Sequence, residues 1–88
     1  MEKYLNKLRY RSWHRGTKEA DLLLGKFFDL NIENFNKNTY ILYEDFLTII
    51  NDNDLLLIVK GQKNWPKSAP KEITNLLDKY ILSEGFRK

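Results

Sequence analysis

Ala20, Leu23, Leu24 and Phe27 stand at i, i+3, i+4 and i+7, and related spacings return at Tyr43, Phe46, Leu47 and Ile50 and at Ile73, Leu76, Leu77 and Tyr80. Apolar residues with that period line one face of an α-helix. Their recurrence in short, separated stretches restricts a chain of 88 residues to a set of short helices packed on one another. The spacing predicts helices over residues 2–13, 18–31, 37–50, 52–60 and 70–84. In the first, Leu5, Leu8 and Ser12 share a side, with Tyr4 beside them. Thr17 caps the second, and Glu19 in its first turn suits the helix dipole. Asn36 or Asn38 caps the third, whose stripe Leu42 and Ile49 widen. Acidic cap candidates open the fourth, and Gly61 closes it. Pro70 takes the first helical position of the fifth, and Gly85 ends it. Leu55–Val59 and Tyr40–Tyr43 have strand-like composition, but helix caps flank them and no hairpin turn follows. Residues 62–69 are polar, contain Pro66 and read as a loop, with Trp65 pinning it to the core. The expectation is an all-α bundle of five helices, one domain over residues 1–88.

Composition removes several classes of chemistry. There is no cysteine, which excludes disulfides, iron–sulfur clusters, zinc fingers and a thiol nucleophile. His14 is the single histidine, so a site built on several imidazoles is impossible. His14 plus Glu19 or Asp21 offers too few ligands for a metal. No glycine-rich phosphate loop is present. The longest apolar run is the five residues from Leu55 to Val59, far short of a membrane span. The N-terminus has no apolar stretch of the kind a signal peptide needs, and the expected location is cytoplasmic.

Charge is uneven. Residues 1–18 carry six bases against Glu2, residues 19–60 eight acids against three lysines, and residues 61–88 six bases against three acids. Such a molecule either meets an acidic surface or phosphate through its N-terminal part, or folds its ends onto its middle. Arg9, Arg11 and Arg15 interleave with Tyr10 and Trp13, a pattern that can contact phosphates and stack bases. A small basic nucleic-acid-binding or antitoxin-like regulator is therefore an alternative reading. Against it, the second helix carries Glu19, Asp21 and Asp29 opposite Lys18 and Lys26, a poor face for a major groove. His14 as a general base has Ser12 as its one neighbouring nucleophile and no oxyanion loop.

The junction of the first two helices is the densest stretch. Gly16 lies between two helical patterns, where it can turn left-handed and admit another backbone. Arg15 and Glu19 flank it. They either present a cation and an anion to a partner from one corner, or pair with each other or cap the helix.

The run from Arg11 to Phe27 resembles the succinate dehydrogenase assembly factor family, also called FAD assembly factors. Its hallmark Arg-Gly-x-x-Glu is matched by Arg15, Gly16 and Glu19, followed by the acid Asp21 and a helix reaching Phe27. Asp52-Asn53-Asp54-Leu55 matches a later acidic helix start, and Gly61 stands where the short helix ends. The resemblance covers residues 4–82. His14 replaces the first of two basic residues, Thr17 a common methionine, and Ile58 a common tryptophan. The resemblance implies a five-helix bundle that binds the flavoprotein subunit of succinate dehydrogenase, or of fumarate reductase in bacteria. It implies a chaperone, not an enzyme, that promotes covalent attachment of FAD to its client and holds no tightly bound cofactor itself. Arg11, His14, Arg15, Gly16, Glu19 and Asp21 are then the partner-binding residues. A monomer in the bacterial cytoplasm is expected, with no nucleic acid and no membrane among its partners.

Overall fold

A computed structural model describes residues 2–84 and carries five helices: α1 (Glu2–Trp13), α2 (Lys18–Asn31), α3 (Lys37–Ile49), α4 (Asp52–Val59) and α5 (Lys71–Ser83). A 3₁₀ turn, Ile32–Asn34, follows α2 directly and was not expected from periodicity. No strand occurs among the described residues, so both strand-like segments are helical. Gly85 lies outside the described residues.

Local chemistry explains the ends. Thr17 and Asn36 are extended N-caps whose side chains accept the N–H of Ala20 and Thr39, and Asn51 does the same for Asp54, so an amide and not an expected acid caps α4, with Asp52 and Asp54 in its first turn. Gly61, at φ 80°, follows α4; its N–H reaches the Ile58 carbonyl while Gln62 N–H reaches Leu57. That pair of bonds is a Schellman stop. Pro70 is the N-cap of α5 and not its first helical residue. Its carbonyl accepts from Ile73 and Thr74, a role that needs no N–H from proline.

The expected stripes are inward. Ala20, Leu23, Leu24, Phe27, Tyr43, Phe46, Leu47, Ile50, Ile73, Leu77 and Tyr80 are all buried. Leu5, Leu42 and Leu76 are half-buried, and Ile49 is 38% exposed, because it points away from the side of α3 on which Phe46 and Leu47 are buried. Aromatic rings fill the centre. Tyr43 stacks on Phe28 at 5.5 Å and lies 5.9 Å from Phe27 and 5.8 Å from Phe35. Trp65 anchors its loop as expected, edge-on to Phe46 at 5.7 Å, with its indole N–H on Asp78 at 2.8 Å.

Ser12 and Tyr43 join α1 to α3 inside this core. Ser12 Oγ donates to the Leu8 carbonyl at 2.8 Å and lies 2.6 Å from the Tyr43 hydroxyl. Serine has one hydrogen, so the tyrosine donates to Ser12. Burial pushes the Tyr43 hydroxyl far above the ordinary tyrosine value. Ser12 is therefore a satisfied core residue, not a nucleophile for His14.

Contacts along α1 and α2 run in opposite directions. Arg9 and Trp13 Nε1 both reach Asp29, and the Trp13 ring faces Gly25. The two helices form an antiparallel hairpin whose turn, residues 14–17, is the stretch singled out above.

Candidate functional site

The turn is held from inside. Asp21, one turn into α2, accepts the backbone N–H groups of Arg15 and, at 3.3 Å, of Gly16. Gly16 takes φ 120°, a conformation that L side chains rarely adopt. Space is not the constraint: a Cβ here would meet Asp52 Oδ2 at 3.6 Å, an ordinary contact.

Arg15 turns inward from this point. Its guanidinium donates to Asp52 at 3.0 Å, to the Leu47 carbonyl at 3.0 Å and to the Ile50 carbonyl at 2.7 Å. The carbonyls belong to the C-terminal end of α3, where the helix dipole favours a cation. Asp52 opens α4. One side chain, only 13% exposed, thus ties the α1–α2 turn to the α3–α4 junction. The Arg15–Glu19 pair weighed from the sequence does not form.

Glu19 is exposed and makes no hydrogen bond or ion pair with the described residues. His14 is exposed too, stacked on Tyr10 with ring centroids 4.1 Å apart. Its Nδ1 lies 2.9 Å from the Tyr10 carbonyl. A carbonyl only accepts, so Nδ1 carries hydrogen and Nε2 faces outward. Arg11 is drawn onto α3, 3.2 Å from Thr48 Oγ1 and 3.7 Å from Glu44. The six predicted site residues therefore separate. Arg15, Gly16 and Asp21 build the turn, Glu19 and His14 are displayed by it, and Arg11 braces a neighbouring face. Asp52 completes the arrangement. Its acidic context had marked it as a helix start, but nothing local pairs it with an arginine 37 residues away.

The same contacts weigh against the nucleic-acid reading. Arg9 pairs with Asp29, Arg11 with Glu44 and Arg15 with Asp52. Trp13 lies against Gly25 instead of standing free to stack on a base. A phosphate-binding strip needs unneutralised cations, and α1 retains only its lysines. The basic N-terminus folds onto the acidic middle of the chain, as one of the two charge readings required.

Among the described residues, no group of three His, Asp or Glu side chains can hold a metal ion. No helix among them is long and apolar enough to cross a membrane.

Comparison with known proteins places the chain. Residues 6–81 match the family model described as the flavinator of succinate dehydrogenase. Succinate dehydrogenase assembly factor 2-B, mitochondrial, of Drosophila mojavensis is 34% identical over 82 residues, covering 92% of this chain and 52% of that protein. Assembly factor 2-A, mitochondrial, of Drosophila yakuba is 32% identical over 82 residues, covering 92% and 51%. The chain thus spans about half the length of these curated relatives. No solved structure matches it. With most of its length inside the family model, and with the motif turn built as described, the chain belongs to the family of succinate dehydrogenase flavinators.

Proposed function

We propose that this chain is an assembly factor that docks on the flavoprotein subunit of succinate dehydrogenase, or of fumarate reductase, and promotes its covalent flavinylation. The chain acts as a chaperone. It supplies no catalytic group, and FAD belongs to the client. It works as a monomer in the bacterial cytoplasm.

One observation carries the reading: the motif turn is rigid on its inner side and free on its outer side. Arg15 and Asp21 are consumed in holding Gly16, which leaves Glu19 exposed with an uncompensated charge. A surface already ordered before contact loses little conformational entropy on docking. The bare glycine lets client backbone approach, and Glu19 sets the orientation through a charged contact. Docking then favours the client conformation in which flavin and target side chain are aligned.

Co-expression with the flavoprotein subunit, read as covalent flavin fluorescence in a denaturing gel, tests this. Fluorescence should depend on the chain, fall in Glu19→Ala and vanish in Gly16→Arg. Since Glu19 is exposed and unpaired, Glu19→Ala should leave the thermal midpoint nearly unchanged. Flavin attachment indifferent to the chain would overturn the assignment.

A further inference from the structure

We infer that the groove between α2 and α4, beside Glu19, is the pocket into which the client flavoprotein inserts an apolar side chain flanked by a basic residue. This rests on the docking function proposed above and extends it from the turn to a second contact.

Glu19, Leu22 and Leu23 of α2 and Leu56, Val59 and Lys60 of α4 line a hollow of about 280 Å³. Leu23 and Val59 are buried beneath it. Leu22 stands 40% exposed, and Leu56 is half-buried. Leu22 and Leu56 share one hollow with a polar rim, so they are not singly scattered apolar residues. Leu30, also exposed, borders a hollow whose one charged lining residue is Lys79.

Continuity and charge select the occupant. Glu19 belongs at once to the motif turn and to this rim, so a partner seated on the turn reaches the groove without leaving the surface. Glu19 and Lys60 line the same hollow, and neither forms an ion pair within the described residues. An occupant that answers both carries a cation for Glu19 and an acceptor for Lys60 around an apolar group. That is the chemistry of a peptide segment. At about 280 Å³ the hollow has room for a side chain.

The test compares affinities for the purified apo flavoprotein subunit by titration calorimetry, with thermal melts as controls. Leu22→Asp should weaken binding by at least about tenfold, as loss of a buried interface anchor does, and Leu56→Ser should weaken it less. Leu30→Asp, the same change at the far end of α2, should bind like the parent chain. A photo-crosslinker in place of Leu22 should capture a client peptide containing an apolar residue next to Lys or Arg. Parent-like binding by Leu22→Asp, with Glu19→Ala still impaired, would overturn the groove and leave the docking function standing. Capture of a second copy of this chain at position 22 would also overturn it. Failure of the parent chain to bind the subunit at all would overturn both.

Discussion

Gly16 and Gly25 stand nine residues apart in one helix hairpin, and the fold needs them for opposite reasons. Gly16 has room for a side chain but a backbone at φ 120° that resists one. Gly25 has ordinary helical backbone but no room: a Cβ there would lie 2.1 Å from the Trp13 ring. A glycine inside a helix costs about 1 kcal/mol against alanine, so Gly25 is tolerated because it lets the Trp13 indole lie directly on α2. The turn region is thus shaped by conformation and the crossing region by packing. Substitution of Gly16 should be felt mainly by a partner, and substitution of Gly25 mainly by stability.

The sharpest way to break the distinction is Arg15→Met. It removes the clamp on which the turn depends and leaves Asp52 and two carbonyls without their donor. We expect a loss of about 3 kcal/mol, the lower range for breaking a largely buried charge pair, seen as a drop in the urea midpoint. If stability holds, the turn is not clamped by Arg15.

Gly25→Ala should follow, at about 2 kcal/mol, the usual range for overpacking a filled contact. Trp13→Ala is destabilising alone, but in the double variant the Gly25→Ala penalty should shrink, because the clashing ring has gone. Additive penalties in that cycle would show that Trp13 is not the obstacle.

Gly16→Ala should cost about 1 kcal/mol from backbone strain. A d-alanine in place of Gly16, introduced by chemical synthesis, prefers positive φ and should recover that loss. Equal effects of both enantiomers would mean that the methyl group, and not the backbone, is at fault.

The smallest effect lies outside both regions. The Asp54 carboxyl is held below its ordinary value by the Lys63 ammonium that hydrogen-bonds it at 2.7 Å. A group with a depressed folded-state pKa adds stability above its unfolded value of about 3.9. That stability is lost as pH falls through the folded value. Asp54→Asn should therefore lower the melting temperature slightly at neutral pH and leave it unchanged at the most acid pH, flattening the acid limb; the change is small because the pair is exposed.

How much of this the sequence foretold depends on distance along the chain. Helices α1 and α2 begin and end where periodicity and caps place them. The signals there, Thr17 accepting from Ala20 or a stripe at i, i+3, i+4 and i+7, lie within one or two turns. Gly61 behaved as a terminator for the same reason. The reading failed where a third element intervened. Ile49 looks like part of a widened stripe, and Phe35 sits in a linker, yet Ile49 is exposed and Phe35 is buried against Phe27, Phe28, Tyr40 and Tyr43.

The site divides the same way. The sequence by itself determined that a glycine turn would join two amphipathic helices, with Arg15, Glu19 and Asp21 around it, because caps, stripes and turn residues act through neighbours a few positions apart. Only the tertiary structure decided that Arg15 faces inward while Glu19 stays free. Arg15 finds its partners 32, 35 and 37 residues away. A cation settles where acceptors converge, and convergence of the α3 end with the α4 start is a property of the packed helices, not of any segment alone.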